Sequence, residues 1–444
     1  MFDAEVIVVG AGPAGATAAR RLAAAGVRVR LLERHRFPRN KPCGGGISMR
    51  VLDRFPYLRP ALGRIATHTA CRLRLEGPGG GVLQLASEGP AVLLVRRVEF
   101  DALLASLAAE AGADLIEGVA VRGVSAEADH VALRAADGTL FRAPIVIAAD
   151  GVHGVVARRL GFLPRWAAAS VAIDLMEETP NDVLRAADPG ELWVSYGHEA
   201  ADGYAYIFPK KDHVNVGVGA LLSDYRGREC RPPAEVQRAL VAHLVSRGLL
   251  AGRSSRTHFT PSMIPVGGPL PVTARGRVLL AGDAGGFVNG YTAEGIYYGM
   301  VSGDLAARAV IDTSAAAGRS RWTSGGSVAG GRDHPAVAAY ADGWRREIGT
   351  ELRDSVLIRK YLFFDPARVD GVIRGGADFP EVADLIVGYA MGRVPYQVAR
   401  RRVLRRFPLL AFKLLRSALI GGARGHVDTR HEGTKRRGAS GSPH

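Results

Sequence analysis

The first part of the chain alternates short apolar runs with an alanine-rich segment. Val6–Val9 is an apolar run suited to a buried parallel strand, and Ala14–Ala25 is predicted to be a helix that Gly26 ends. A second apolar run, Val27–Leu32, stops at Glu33. Strand, helix and strand in this order predict the start of a Rossmann-like α/β domain.

The turn between the first strand and the helix is rich in glycine and reads Gly10-Ala11-Gly12-Pro13-Ala14-Gly15. Gly10 permits a tight turn, Gly12 lets the backbone approach a pyrophosphate, and Gly15 lets the helix pack closely on the strand. The helix N-terminus favours the negative charge of a diphosphate. Glu33 follows about 20 residues beyond the turn, where its carboxylate can accept hydrogen bonds from both hydroxyls of an adenosine ribose. A glycine loop with an acid placed there by chance is the alternative, and the required order of elements argues against it.

A second glycine motif lies far along the chain. The apolar run Arg277–Ala281 leads into Gly282 and Asp283. Two-segment FAD domains pair an early phosphate-binding turn with a late strand that ends in this way. We therefore predict that the protein binds FAD.

Between the two motifs the pattern changes from helical to strand-like. Val95–Leu107 is predicted to be helical and precedes a strand at Ala113–Glu117. The segments from Ala120 to Arg134 and from Ile145 to Gly151 are typical of a meander that returns to the main sheet. Residues 161–265 then alternate in a strand-like way, which predicts a mostly antiparallel substrate domain.

The predicted fold class is α/β, with a Rossmann-like FAD-binding domain interleaved with a mostly antiparallel β substrate domain and followed by C-terminal helices. A run rich in Gly, Ser and Arg predicts a flexible insertion after the FAD-binding segments. The predicted boundaries are residues 1–160 and 266–312 for the FAD-binding domain, 161–265 for the substrate-binding domain, 313–335 for the insertion, 336–420 for a helical region and 421–444 for a disordered basic tail.

The net charge of +15 is concentrated near the end of the chain. From Arg393 onward the sequence has 13 Lys or Arg residues and two acids. The net charge of this part is therefore +11, which leaves a net charge of +4 for the rest of the chain. The body is therefore nearly neutral, and we expect no nucleic-acid partner. Residues 396–420 combine arginines with a Phe- and Leu-rich stretch, which fits either a helix in contact with anionic membrane lipids or a helix packed on the body with a solvated basic face.

Cysteine usage and hydropathy give expectations about compartment. Cys43, Cys71 and Cys230 are widely spaced, so we expect no structural disulfide and no metal site. The first strand follows Met1 directly, and the sequence has no uninterrupted apolar span of membrane-crossing length. These features predict a cytoplasmic protein, at the inner face of the membrane if residues 396–420 contact lipid.

The order of these motifs resembles that of the para-hydroxybenzoate hydroxylase-like flavoproteins over roughly residues 1 to 310. The resemblance rests on the Gly10–Gly15 turn, Glu33, Arg97 with Phe100-Asp101, Asp150-Gly151 and Gly282-Asp283. That superfamily includes monooxygenases, halogenases and reductases.

More local motifs resemble the geranylgeranyl reductases within this superfamily. Lys41-Pro42-Cys43-Gly44-Gly45 is similar to their Lys-Pro-Cys-Gly-Gly segment, and Tyr204–Pro209 is similar to their Tyr-x-Trp-x-Phe-Pro motif, with Tyr206 where the family usually has Trp. Gly286–Asn289 and Glu294–Tyr298 resemble the end of their second FAD segment.

This resemblance implies hydrogenation of isolated double bonds in a prenyl chain carried by a lipid, a quinone or a (bacterio)chlorophyll-type substrate. It also implies FAD as cofactor, with electrons from NADPH or ferredoxin. The cofactor-binding residues expected from the motifs are Gly10, Gly12, Ala14, Gly15, Glu33, Arg34, Gly44, Gly45, Arg97, Val121, Asp150, Gly282, Asp283, Gly295 and Ile296. The expected substrate-pocket residues are Trp193, Tyr206, Phe208 and Pro209.

The chemistry of an isolated alkene indicates what the catalytic residues must supply. No neighbouring carbonyl exists to take up charge, so a hydride and a proton must be delivered together. The acid must stay protonated at neutral pH, which a thiol with a pKa near ~8.5 or a phenol with a pKa near ~10 satisfies. Cys43 and Tyr204 are therefore the candidate catalytic residues, although Cys43 could instead only pack beside the isoalloxazine.

The aromatic residues Tyr204, Tyr206 and Phe208 alternate along one predicted strand and share one face, where they could form the wall of an apolar tunnel or belong to an ordinary core. Two other functions remain open. An FAD monooxygenase or halogenase would use the same FAD motifs, and a carrier flavoprotein would bind a lipid without turnover. The sequence leaves the head group, the number of bonds reduced and the oligomeric state undecided.

Overall fold

Strands and helices are mixed through the first three quarters of the chain, and helices follow. The computed structural model describes residues 2–163, 165–198, 203–226, 231–317, 333–378, 384–385, 388–389, 394–402 and 404–405. The strands in this part of the chain are β1 Val6–Val9, β2 Val29–Glu33, β3 Gly46–Ser48, β4 Thr67–Ala70, β5 Arg72–Glu76, β6 Val82–Ala86, β7 Val92–Val95, β8 Asp114–Glu117, β9 Val121–Ala126, β10 Val131–Ala135, β11 Leu140–Ala143, β12 Ile145–Ala148, β13 Ala172–Pro180, β14 Leu184–Ala186, β15 Glu191–Tyr196, β16 Tyr204–Pro209, β17 His213–Leu221, β18 Leu250–Gly252, β19 Phe259–Ile264, β20 Ala274–Arg275 and β21 Val278–Leu280. The helices are α1 Pro13–Ala24, α2 Arg50–Arg54, α3 Leu58–Ala61, α4 Arg97–Glu110, α5 Val156–Arg159, α6 Leu222–Arg226, α7 Pro233–Ser246, α8 Ile296–Ala317, α9 Pro335–Trp344, α10 Thr350–Ile358 and α11 Pro366–Asp378.

The predicted first strand lies inside a six-stranded sheet of order β20-β21-β12-β1-β2-β8. All neighbours in this sheet are parallel except β20 and β21. Every residue of β1 is buried, because Val6 and Val8 face helices α1, α4 and α8 while Ile7 and Val9 face the meander β9–β11. The predicted α/β fold class is confirmed.

Small residues bring helices α1 and α8 of this domain together. Helix α1 begins at Pro13, which suits the first turn of a helix, and it packs against α8. A Cβ at Gly303 of α8 would lie only 2.1 Å from the carbonyl oxygen of Ala14. The alanine-rich sequence of α1 therefore serves close helix packing beside the glycine turn.

The second large sheet has seven strands in the order β19-β13-β17-β16-β15-β5-β6. Its neighbours are antiparallel except β15 and β5. The predicted limits of the substrate domain, 161–265, need correction here, because β5 and β6 come from residues 72–86. Pairing of Leu73 with Leu192 joins the two segments, and such long-range pairing leaves no local signal in the sequence.

Helices form the described parts of the C-terminal region. Helix α8 continues to Ala317, so the first residues of the predicted flexible insertion 313–335 are helical, and residues 318–332 lie outside the described residues. Helix α11 packs its Val369 and Ile373 against Leu83 and Leu85 of β6. Residues 400–444 form a separate unit, and most of 396–420 and the whole predicted tail 421–444 lie outside the described residues. None of the helices in the described ranges is long and apolar enough to cross a membrane.

Candidate active site

A cavity of about 1170 Å³ extends from the carboxyl ends of the parallel strands, along the seven-stranded sheet, to the C-terminal helices. Its first part is lined by the glycine turn after β1, the end of β2 and the segment after β21. Its far part has apolar walls, which we call the apolar arm and define by Leu73, Leu75, Val194, Leu362, Val369 and Ile373. The loop that carries Cys43 and the aromatic side chains of β16 lie between the two parts.

The glycine turn leaves open space where a diphosphate would need it. Gly10 has a φ of +95°, and a Cβ there would lie 2.4 Å from the carbonyl oxygen of Ala149. At Gly12 the nearest atom to an added Cβ is Nη2 of Arg39 at 4.0 Å, so this residue faces the cavity. The first turn of α1 carries no acid that would oppose an anion. These residues fit a dinucleotide such as FAD.

Glu33 is held at the end of β2 with its carboxylate beside the turn. Ala11 N donates to its Oε2 at 3.0 Å, and His35 N donates to its Oε1 at 3.1 Å. The side chain is buried, and both Glu33 and Arg34 line the cavity. Arg39 also reaches this carboxylate, with Nη2 donating to Oε2 at 3.5 Å and Nε lying 3.4 Å from Oε1, so Oε1 is the oxygen better placed to accept from a ribose hydroxyl.

Two arginines form ion pairs with Asp101, a fully buried acid behind this turn. Arg97 donates from Nε and Nη2 to the two carboxylate oxygens of Asp101, at 2.6 and 2.8 Å, and Arg39 donates from Nη1 at 3.0 Å. Burial opposes the charge of Arg97, but the interactions with Asp101 and Cys43 together outweigh burial and raise the pKa of Arg97. Arg97 is thus fixed as a cation that lines the cavity. The sequence motif contained Asp101, but its pairing with Arg39 was missed.

Asp150 lies two residues after β12, and one of its carboxylate oxygens can still accept a hydrogen bond. Its Oδ2 accepts from Val155 N at 2.6 Å and from Val156 N at 3.1 Å, while Oδ1 has no hydrogen-bond partner among the described residues. Burial raises the pKa of this carboxyl group. A buried acceptor on the cavity wall is suited to a hydroxyl donor of a bound nucleotide cofactor.

The late glycine motif closes the same end of the cavity. Gly282–Gly285 forms a 3-10 turn after β21, and Gly282 N donates to Oγ of Ser302 at 2.9 Å. Asp283 and Gly295 are near neighbours, since a Cβ at Gly295 would lie 3.4 Å from Oδ1 of Asp283. With the exception of Gly15, all the predicted cofactor-binding residues line the cavity, including Ala14, Gly44, Gly45, Val121 and Ile296. Gly15 packs under the turn instead, where a Cβ would lie 1.8 Å from Gly10 O.

The loop with Cys43 lies against the aromatic face of β16. A Cβ at Gly44 would come within 2.7 Å of the Phe208 ring, so only glycine fits there. The Cys43 thiol is partly buried, and its Sγ receives a hydrogen bond from Gly45 N at 3.4 Å. Cys43 therefore lies between the FAD end and the aromatic face.

Tyr204, Tyr206 and Phe208 share one face of β16 and line the cavity. Their ring centroids are 6.0 Å apart for the first pair and 4.8 Å for the second. The two other predicted pocket residues, Trp193 and Pro209, are corrected here because they do not line it. Strand alternation turns both to the opposite face, where Trp193 is buried in the cluster with α7.

Asp174 is a cavity residue that the sequence analysis missed. It lies on β13, is 4% exposed, and accepts a hydrogen bond from the Tyr206 hydroxyl at 3.0 Å to Oδ2. Burial raises its pKa to about 7, although Tyr206 and the Lys41 ammonium act in the other direction. An acid inside the apolar run Val171–Met176 was the available signal.

Glu294, from the second FAD motif, is another acid that lines the cavity, and it belongs to a larger polar cluster. Burial raises its pKa to about 7, and it lies 4.0 Å from Arg50 Nη2. Arg50 donates to Glu351 at 2.7 Å, as does the Tyr298 hydroxyl. This cluster ties α2, α8 and α10 together beside the cavity.

Asp174 makes folding stability depend on pH. Its carboxyl has an ordinary pKa of 3.8 and a folded-state pKa of about 7. The folded state binds the proton more tightly, so this contribution to stability is complete below about pH 4 and is lost as pH rises through about 7. We expect Asp174→Asn to have a higher Tm than the wild type at about pH 8, because its free energy of unfolding is larger by at most ~4 kcal/mol. Most of this difference in stability should be lost at about pH 5. Thermal unfolding of both chains tests this, and an equal difference at both pH values would contradict it.

Comparison with known proteins connects this geometry to a family. Residues 3–303 match the model of the FAD binding domain. The chain belongs to the FAD binding domain family. The predicted FAD-dependent oxidoreductase of the geranylgeranyl reductase type is confirmed by this match and by the reductases among its relatives.

The relatives of this FAD-dependent oxidoreductase include reductases from several organisms. It is 32% identical over 324 residues to a menaquinone reductase of Mycobacterium tuberculosis, covering 69% of this chain and 76% of that protein. It is 34% identical over 327 residues to a digeranylgeranylglycerophospholipid reductase of Methanopyrus kandleri, covering 70% and 81%. A geranylgeranyl bacteriochlorophyll reductase-like protein of Thermoplasma acidophilum shares the fold, with a TM-score of 0.73, 20% identity and coverage of 90% and 98%.

Proposed function

We propose that this oxidoreductase uses FAD to hydrogenate isolated double bonds in the prenyl chain of a lipid, a quinone or a (bacterio)chlorophyll-type substrate. The observation that carries the proposal is the apolar arm, which continues the FAD end of the cavity between β5, β15 and α11. A long hydrocarbon chain can bury its surface there, at about 25 cal/mol per Å². The names of the relatives, which include menaquinone and digeranylgeranylglycerophospholipid reductases, support the same substrate class.

Some residues of the cavity would bind the cofactor, and others would lie beside the reacting bond. When bound, reduced FAD supplies the hydride. We infer that the glycine turn and Glu33 hold the dinucleotide, that the fixed cation Arg97 faces it, and that Cys43 and Tyr204 lie where its reactive end meets the prenyl chain. The apolar walls exclude water from the reacting bond. Electrons reach the flavin from NADPH or ferredoxin in this proposal.

Peripheral membrane contact through residues 396–420 forms part of the proposal, because a prenylated lipid resides in a membrane. The described residues of this segment support it, since Arg401, Arg402 and Leu404 are exposed. Co-sedimentation of the full chain with anionic lipid vesicles tests this, and failure to bind at low salt would favour a solvated basic face instead.

A single-turnover experiment tests the function. The purified protein is reduced anaerobically with dithionite and mixed with geranylgeranyl diphosphate, a geranylgeranylated lipid or a menaquinone, and products are analysed by mass spectrometry. We expect a pair of hydrogens added per reduced double bond, together with return of the oxidised flavin spectrum. Absence of product from every prenyl compound, with oxygen inserted into an aromatic once air and NADPH are present, would establish a monooxygenase instead.

A further inference from the structure

Asp174 is a buried carboxyl group on the cavity wall that the binding of FAD leaves without a role. It lies on the same sheet face as Tyr206, whose ring packs 4.8 Å from that of Phe208, and Phe208 in turn contacts the Cys43 loop at Gly44. We propose that Asp174, held by Tyr206, is the acid that gives a proton to the prenyl double bond. This inference rests on the proposed function.

The sheet is built to let these two side chains meet. Asp174 lies on β13 and Tyr206 on β16, with β17 between them. Their contact crosses β17 at Gly217 and Gly219, which carry no side chain. A Cβ at Gly217 would lie 2.5 Å from the Tyr206 hydroxyl. The Tyr206 ring therefore lies across β17, and its hydroxyl reaches both oxygens of Asp174 at 3.0 and 3.3 Å.

The two acids predicted from the sequence are Cys43 and Tyr204. Cys43 Sγ accepts a hydrogen bond from Gly45 N at 3.4 Å, and the Cys43→Ala variant tests whether this thiol gives the proton. Burial raises the pKa of Tyr204, which makes its phenol a weaker acid. The Asp174 carboxyl keeps a proton near neutral pH and is a stronger acid than a phenol.

The other groups that face Asp174 are few among the described residues. Tyr206 and Tyr204 approach from β16, Ser262 is its partner on β19, and the Lys41 ammonium acts on it from the Cys43 loop. Lys41 Nζ also donates to Oγ of Ser262 at 3.4 Å. Lys41 lines the cavity, so a solvent proton can return to Asp174 along this polar side.

The step balances in atoms and electrons. The π pair of the alkene forms a new C–H bond with the Asp174 proton, and the hydride of reduced FAD forms a C–H bond at the other carbon. The flavin is oxidised, the alkene is reduced, and Asp174 is left as a carboxylate that the Tyr206 hydroxyl stabilises by its hydrogen bond. Proton uptake from solvent restores the acid.

The test is anaerobic single turnover of the dithionite-reduced holoenzyme with the geranylgeranyl compound that the wild type reduces. We expect Asp174→Asn, which keeps an acceptor for Tyr206, to retain FAD and to react at least about 100-fold more slowly. The wild-type rate should fall as pH rises through about 7. Tyr206→Phe should move this fall to higher pH, because the Tyr206 hydrogen bond lowers the pKa of Asp174.

Glu177→Gln is the matched control. Glu177 is a buried acid on the same strand, but it faces away from the cavity and bonds Thr179 and Ser254. We expect this variant to keep the wild-type rate and pH profile. As a readout independent of turnover, the infrared difference between the wild type and Asp174→Asn should show one protonated-carboxyl band that titrates near neutral pH, and this band should remain in the spectrum of Glu177→Gln.

Two outcomes would overturn the inference and leave the proposed function standing. One is wild-type turnover by Asp174→Asn together with loss of turnover in Cys43→Ala, which would make Cys43 the acid. The other is an unchanged pH profile in Tyr206→Phe with no carboxyl band lost in Asp174→Asn. If the wild type itself reduces no prenyl compound, the proposed function fails, and the inference fails with it.

Discussion

Gly12→Asp is expected to fold normally and to lose FAD. The backbone at Gly12 has a φ of −74° and a ψ of −176°, which any residue adopts, and an added Cβ meets nothing closer than 4.0 Å. Gly12 is also the N-cap of α1, where Asp is a preferred residue. The fold therefore has no reason to reject the substitution.

FAD binding should suffer because the new carboxylate lies where the diphosphate belongs. It would accept the N–H groups of the first turn that the diphosphate needs, and it would repel the phosphate charge. Two unit charges 4 Å apart at a protein surface interact by about 4 kcal/mol. We expect FAD to bind at least about 100-fold more weakly, which corresponds to ~2.7 kcal/mol.

Gly12→Asn separates charge from shape, because it adds the same number of heavy atoms without the charge. Gly63→Asp adds the same acid at an exposed glycine with nothing within 4 Å, and it should bind FAD like the wild type. Flavin fluorescence titration of the apoproteins measures the affinities, and thermal unfolding confirms that each chain is folded. Normal FAD affinity in Gly12→Asp would show that the turn does not bind the diphosphate.

Leu75→Trp is expected to block the apolar arm without affecting FAD. Leu75 lines the cavity from β5, opposite α11 and next to Val194 on β15. The larger indole would fill space that a long prenyl chain needs. Exclusion of one isoprene unit forfeits at most ~4 kcal/mol, at about 0.8 kcal/mol per buried carbon group.

The effect should grow with the length of the prenyl chain. We expect a rise of at least about 30-fold in the apparent Kd for a geranylgeranyl compound, which corresponds to ~2 kcal/mol, and a much smaller rise for the geranyl analogue. Gln84→Trp is the matched control, since Gln84 lies on neighbouring β6 and is exposed. Binding is followed by the flavin absorption change. An equal loss for both chain lengths would place the prenyl chain elsewhere in the cavity.

Short motifs predicted the glycine turn, Glu33 and Gly282-Asp283 as parts of the FAD site. Their roles follow from backbone conformations and strand ends that neighbouring residues specify, so the α/β fold class and the FAD-binding family could be predicted from short motifs. All but one of the predicted cofactor residues line a single cavity. The assignment of each residue to FAD stays a prediction, for which Gly12→Asp is the first test.

The sequence predicted only in part which face of each strand lines the cavity. Alternation correctly grouped Tyr204, Tyr206 and Phe208 on one side of β16, because side chains of a strand repeat every second residue. Alternation alone does not say which face of β15 meets the cavity and which face, with Trp193, meets α7. Packing of α7 against one face decided this, and it buried Trp193 away from the cavity.

The sequence by itself therefore determined the strand, turn, helix and strand at the start of the FAD-binding domain, the phosphate-binding turn and the flavin family, because these depend on contiguous residues. Only the tertiary structure decided that β5 joins β15, that a glycine-bearing strand lets Tyr206 reach Asp174, and that the apolar arm ends against α11. Each of these depends on side chains far apart in the chain. The raised pKa of Asp174 likewise comes from burial between such segments, which is a property of the folded protein.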